Sequence, residues 1–432
     1  MRILVEPSDY RTHNIGDLSL LMVAVSRLGT VFPEATIEVF SDEPEKLRAF
    51  CPQVTPLPTA GRELWLRDEF LPARVNALLR RLSETTRLSG DLAERVRRID
   101  PAMVDWLWRR KVRARAGALR ELNIFTESVA RADLMVVAGM GGVTDAFPDF
   151  AKGILETVNL AMRRGVPVAM MGQGIGPLTD PVLHARARSV LPRVGLIAVR
   201  EERASVPLLR SLGVPSGRIV TTGDDAIELA YRPEQRELAN GLGVNIRLAG
   251  YSQVSELDLE RLRRVLRQAA DSWDARLVPV PIATLTSESD ASAIATVLTG
   301  SSNVLHSRRP AASPADIVDL VRLCRVVVTG SYHAGVFALS CGVPAIGIAK
   351  SQYYVEKFCG LAAQFGPGCE VATLDDPDFE QVLREKIDRL WASAEQLRPG
   401  LLQSAARQIA LGQAAYGRLR EIVTARRKAA PR

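Results

Sequence analysis

Two α/β domains of Rossmann type, facing one another across a central cleft, are the fold that this sequence predicts. Three observations predict it. Short β-branched or apolar runs alternate with segments of helical periodicity along most of the chain. Many of those runs end in a glycine-rich or polar turn, and parallel sheets place their ligand crevices outside such ends. The alternation also occurs twice, with a polar stretch after Tyr231-Arg232-Pro233 between the two rounds.

The elements follow in order. Arg2 to Val5 reads as a strand, 9–14 as a loop, Ile15 to Leu28 as a helix and Thr36 to Phe40 as a strand, which together make a βαβ unit. Residues from about 61 to 130 are helical in pattern and Arg-rich, and they read as an insertion in the N-terminal half. Strands resume at Asp133 to Val137, followed by a glycine-rich turn from Gly139 to Gly142, a helix from Phe150, and a strand from Val166 to Met171. Leu196 to Val199 and Ile219 to Thr222 are further strands, the second entering Gly223-Asp224-Asp225-Ala226. The second round has strands at 243–246, 276–281, 303–305, 325–329 and 344–348, with helices between them. Ser313-Pro314 opens one of these helices with an N-cap serine and a first-turn proline. The expected domains are 1–235 with the insertion, 240–390, and a charged helical tail at 391–432. Two such sheets in tandem with a closing helix match the architecture called GT-B, a likeness of fold that assigns no chemistry.

Composition narrows the class. Hydrophobic residues make up 47% of the 432, enough for ordinary globular cores. No apolar run approaches the roughly 20 residues that span a bilayer, and MRILVEPSDY contains no signal-peptide apolar region, so a cytoplasmic location is expected. The cysteines, Cys51, Cys324, Cys341, Cys359 and Cys369, are odd in number and irregularly spaced, and with only four histidines they suggest no metal centre. The net charge is +7, and between Arg62 and Arg115 there are 14 Lys/Arg against 8 Asp/Glu. No nucleic-acid motif accompanies this excess, and a solvated helical face explains it. Trp106, Trp108, Arg109, Arg110 and Lys111 combine aromatic and basic groups in one helix. They read either as packed aromatics under an Arg-rich face or as a peripheral contact with an anionic membrane.

Several residues carry chemistry by position. Asn14-Ile15-Gly16-Asp17 sits where a strand passes into a helix, where a glycine lets backbone approach a ligand and the helix start favours an anion. Asp17 is either a cap or a group for an acceptor hydroxyl. Asp145, after the glycine turn, is a candidate general base or a helix N-cap. Gln173, in Gly172-Gln173-Gly174-Ile175-Gly176-Pro177, belongs to a rigid loop that walls the cleft. Arg200, after an apolar strand, must find an anion or a carboxylate, with Glu201, Asp224 and Asp225 at hand. His333 opens a helix of small apolar residues, and it reads either as a catalytic group pointing toward the cleft or as a satisfied core histidine.

Taken in order, Asn14 to Asp17, Gly139 to Asp145, Gly172 to Pro177, Val199-Arg200-Glu201, Gly223 to Ala226, Tyr332 to Leu339 and Gly342-Val343-Pro344 resemble the polysaccharide pyruvyl transferase family over most of the chain. The resemblance implies transfer of a pyruvyl group from phosphoenolpyruvate to two sugar hydroxyls as a cyclic ketal, in glycan or glycoconjugate synthesis. No metal or nucleotide cofactor is implied. The partners are an anionic donor and a sugar or lipid-linked sugar acceptor, with no nucleic acid. It also implies a donor site made of Arg200 and of an arginine-aromatic-histidine triplet, which here reads Ser331-Tyr332-His333. Serine cannot supply the bidentate grip of a guanidinium. Arg308 with Arg309, on a loop just before, and Lys350, near Tyr353, Tyr354 and Lys357, are candidates to replace that charge. The alternatives are a glycosyl transferase using a nucleotide sugar and a non-catalytic sugar-phosphate binder.

Overall fold

The computed structural model describes residues 1–67, 100–234, 237–284, 289–306 and 311–429. Its N-terminal lobe runs β1 (Arg2–Glu6), α1 (Ile15–Val31), β2 (Thr36–Phe40), α2 (Pro44–Phe50), β3 (Val54–Leu57), α3 (Ala60–Leu66), α4 (Pro101–Val112), α5 (Ala116–Arg131), β4 (Leu134–Val137) and β5 (Met140–Val143). It continues with α6 (Pro148–Arg163), β6 (Val168–Ile175), α7 (Pro181–Val190), β7 (Leu196–Val199), α8 (Ser205–Ser211), β8 (Ile219–Thr221) and α9 (Ala226–Ala230). The strands form one parallel sheet in the order β3-β2-β1-β4-β6-β7-β8, with β5 also paired to β6. Order reverses on either side of β1 and β4, and that reversal opens a crevice at their C-terminal ends.

The C-terminal lobe runs β9 (Gly241–Asn245), α10 (Glu256–Ser272), β10 (Arg276–Pro279), α11 (Asp290–Leu298), α12 (Pro314–Val321), β11 (Cys324–Thr329), α13 (Tyr332–Ser340), β12 (Ala345–Ala349), α14 (Gln352–Phe365), β13 (Cys369–Thr373), α15 (Phe379–Gly417) and α16 (Leu419–Ala429). Its parallel sheet has the order β10-β9-β11-β12-β13. Near-continuous apolar strands such as LMVV and AIGIA fit sheets covered on both faces by helices.

Three sequence expectations change. Gly139 to Gly142 is not simply a turn, because Met140 and Val143 register with Gln173 and Ile175 of β6. The stretch 303–305 reduces to a single bridge between Val304 and Leu277. The Arg-rich insertion is helical in its described parts, as expected, but it is not only a solvated face: Trp65, Val104, Trp108, Leu122 and Phe125 are buried in one core with Met135, Val137 and Ile154. Residues 68–99 of that insertion, and Arg308 with Arg309, lie outside the described residues. Within α4, Trp108 is packed and Trp106 is 56% exposed, with the Arg110 guanidinium over its ring.

The C-terminal helices are not an appendage. Phe379 to Trp391 pack in the C-terminal lobe, whereas Tyr416, Leu419 and Val423 pack against Ile3, Leu21 and Leu28 of the N-terminal lobe. Helix α15 thus straps the two lobes together. Among the described residues no helix is long and apolar enough to cross a membrane, and all five cysteines are free.

Candidate active site

The lobes meet around a cleft of about 660 Å³ lined from both sides. Its position is fixed by a crossing of the chain. The loop before α1 joins the C-terminal lobe through a bridge between Asn14 and Ala283, with the Ile15 N–H donating to the Ile282 carbonyl at 3.0 Å and Thr284 N–H to the His13 carbonyl at 3.0 Å. Asn14 spends its side chain as the cap of α1, its Oδ1 accepting from the N–H groups of Gly16 and Asp17. Asp9 fixes the same loop by accepting from Arg11, His13 and Asn14 N–H groups.

Arg200 leaves the C-terminal end of β7 and is 2% exposed. Its Nη1 stands 3.3 Å from Asp224 Oδ2, and its Cζ lies 4.2 Å above the centre of the Tyr332 ring. Its Nη2 is buried with no hydrogen-bond partner, and it lines the cleft. His333, in the first turn of α13, is also buried; its Nε2 is 3.9 Å from Asp224 Oδ2 and likewise has no hydrogen bond. Burial, then the neighbouring Arg200 and Lys357, hold the imidazole well below its ordinary pKa, so the ring is neutral. Gly16 is needed for a reason the sequence does not reveal. A Cβ there would lie 2.1 Å from His333 Cγ, so the glycine admits the imidazole, not a ligand.

Asp17 faces this cationic corner from the first turn of α1. Burial, and then Asp9, push its carboxyl up to about 6. Asp145 does not reach the cleft. Its Oδ2 accepts from the Thr179 hydroxyl at 2.7 Å and also from the Thr179 N–H, and its Oδ1 from Asp180 N–H, so it fastens the turn after β6. Gln173 is buried behind the wall, its Nε2 donating to the carbonyls of Val137, Ala138 and Met171. Lys350 turns away to pair with Asp258 at 2.8 Å. Ser331 and Tyr332 do line the cleft.

Three lining groups escaped the sequence reading as site residues. Lys357 of α14 reaches the corner beside Arg200, its Nζ hydrogen-bonded to the Tyr353 hydroxyl. Arg247, after β9, pairs with the fully buried Asp290 at 3.1 Å and donates to the Tyr251 hydroxyl. Around them Phe147 of one lobe meets Tyr251 and Tyr353 of the other at 4.9 and 5.7 Å between ring centres. Aromatic spacing near Lys357 was the one local trace of this wall. Arg247 and Asp290 sit in no motif. Among the described residues no group of three or more His, Cys, Asp or Glu stands close enough to hold a metal.

Known proteins share this architecture. A UDP-GlcNAc 2-epimerase from Neisseria meningitidis, bound to UDP-GlcNAc, superposes with a TM-score of 0.55 at 11% identity, over 98% of this chain and 100% of that one. A glycosyltransferase from Rickettsia africae gives 0.55 at 10% identity over 99% of each chain, and a UDP-GlcNAc 2-epimerase from Methanocaldococcus jannaschii gives 0.51 at 9% over 90% and 91%. At such identities the likeness concerns the fold alone, two Rossmann-like domains in the GT-B arrangement. No relative is found among the curated proteins. The family model for polysaccharide pyruvyl transferase, however, matches residues 14–352, a span that begins at the cap of α1 and takes in Asp17, Arg200 and the Ser331–His333 corner. This chain belongs to the polysaccharide pyruvyl transferase family.

Proposed function

We propose that this transferase moves the pyruvyl group of phosphoenolpyruvate onto two hydroxyls of a sugar acceptor, forming a cyclic ketal and releasing phosphate. The observation that carries this reading is a pair of buried nitrogens without partners, Arg200 Nη2 and His333 Nε2, facing one cleft. Buried donors left unsatisfied are expensive, and a small anion satisfies both. The N-terminus of α13 adds its positive end to the same corner.

In this reading Arg200 and His333 hold the donor's anionic groups. An anion between them also reverses the electrostatics on His333, so the imidazole takes up a proton as the donor enters. It then delivers that proton to the methylene carbon, which leaves C2 electrophilic. The first sugar oxygen attacks C2 while a base removes its proton. The second oxygen then attacks the same carbon as the C–O bond to phosphate breaks, and its proton leaves with phosphate. Asp17 is the carboxylate placed to act as base, in a cleft where burial keeps its pKa near the working range. Asp145, committed to Thr179 and Asp180, is not.

The test is the mass of a candidate glycan after incubation with the protein and phosphoenolpyruvate, and separately with nucleotide sugars. A gain of one pyruvate less one water supports the proposal. A hexose-sized gain from a nucleotide sugar instead points to glycosyl transfer. Donor binding with no mass gain across a panel of acceptors points to a sugar-phosphate binder.

A further inference from the structure

We propose that Lys357 is the second cation of the donor site, gripping the anion on the side where α13 opens with the uncharged Ser331. This rests on the reading that the cleft holds phosphoenolpyruvate. The carrying observation is a convergence of two side chains from different lobes on one backbone position. A Cβ placed on Gly141 would lie 2.5 Å from Arg200 Nη2 and 2.9 Å from Lys357 Nζ. Any other residue at 141 would fill the space into which both cation tips project. The Tyr332 ring faces both as well, with Arg200 Cζ at 4.2 Å and Lys357 Nζ at 5.8 Å from its centre.

The other cations near the cleft are already committed. Arg247 is held by Asp290 and Lys350 by Asp258. Lys357 hydrogen-bonds to the neutral Tyr353 hydroxyl, and among the described residues no carboxylate stands within ion-pair distance of it. The groups around it are Arg200 just after β7, Asp224 before α9, Asp17 from α1, His333 and Tyr332 from α13, and Tyr353 and Tyr354 from its own helix. Burial first, and Arg200 next, hold the Lys357 ammonium well below its usual pKa, against the smaller opposing pull of Asp17 and Asp224. An anion seated between Arg200 and Lys357 offsets that repulsion and favours the ammonium over the neutral amine. A guanidinium in this place carries its charge at all times. Lysine instead makes donor binding take up a proton.

The test uses the whole chain with phosphoenolpyruvate as probe, by calorimetry in two buffers of different ionisation enthalpy. Wild type is expected to bind with net proton uptake. Lys357→Met is expected to weaken binding by about thirtyfold or more, the loss typical of removing one partner from a desolvated charge pair, and to lower the uptake. Adding Ser331→Arg to that variant is expected to recover affinity without recovering the uptake. A folded Lys357→Met protein with wild-type affinity and uptake overturns the inference and leaves the proposed function standing. Wild type that gives no binding heat with phosphoenolpyruvate overturns both. If Lys357→Met does not fold, Lys357→Arg decides: retained binding with reduced uptake supports the inference, and unchanged uptake overturns it.

Discussion

Two aspartates compete for the role of base, and their surroundings separate them. Asp145 accepts three hydrogen bonds from Thr179 and Asp180, whereas Asp17 lines the cleft beside Arg200 and Lys357. Asp17→Asn is expected to lower kcat by about 10²–10⁴-fold, the usual worth of a positioned base. Asp145→Asn is expected to keep most of its turnover and to lose roughly 1 kcal/mol of stability with the hydrogen bonds of its turn. Steady-state kinetics and denaturant melts on the two variants check this, and equal losses of kcat would return Asp145 to the mechanism. The sign of the pH dependence follows from Asp17. Its raised pKa leaves the carboxyl protonated, and useless as a base, as pH falls through about 6, so kcat/KM should drop on that acid side. The same limb should be missing from the residual activity of Asp17→Asn. Gly16→Ala offers an independent check on His333. The added methyl collides with the imidazole at 2.1 Å, so donor affinity is expected to fall although residue 16 itself holds no ligand.

At the scale of elements, α1 does two jobs along one axis. Its first turn presents Asp17 to the cleft, while Arg27, two turns and more further on, reaches Asp225 at 2.6 Å and Glu228 at 2.7 Å. Tyr416 of α15 closes the group with a 2.9 Å hydrogen bond to the second oxygen of Asp225. Because Asp225 is almost wholly buried, Arg27→Met strands a carboxylate, and a loss of about 3–5 kcal/mol is expected on chemical denaturation. A change under 1 kcal/mol would mean that the strap of α15 does not depend on this network. The motif Gly223-Asp224-Asp225-Ala226 marked these residues in the sequence, but not that its two carboxylates face different partners, Asp224 the active corner and Asp225 the strap. Strands of strong β character, such as β1, β7 and β11, were legible from composition. Strands β3 (VTPL) and β13 (CEVAT) were not, since each is short and mixes polar or proline residues into an edge position. Strand β5 reads as a turn in the sequence because two of its four residues are glycines. Helix α15 reads as a charged tail because its buried positions are spread over 39 residues and three separate cores.

The site exists only at the scale of the whole molecule. Arg200, Tyr332 and His333 were legible because each ends or opens an element in a recognisable motif, but Lys357, Arg247 and Asp290 were not, since only the facing of two sheets brings them to the same hollow. That assembly has a measurable consequence. Residues of both lobes line one cleft, so under the proposed function a bound donor should stabilise the pair of lobes as a unit, by about 2.7 kcal/mol at a hundred times its Kd if the unfolded chain does not bind it. The stabilisation should also depend on pH in one direction. Burial depresses His333 and Lys357, and an incoming anion is expected to raise both. Both shifts mean protons taken up on binding, so affinity strengthens as pH falls and weakens as pH rises. Melting with and without phosphoenolpyruvate at a series of pH values is therefore expected to show a ligand-induced rise in Tm that shrinks steadily toward alkaline pH. A rise that stays constant, or grows as pH increases, would mean that the donor sits away from His333 and Lys357, and the arrangement of this cleft would then need another guest.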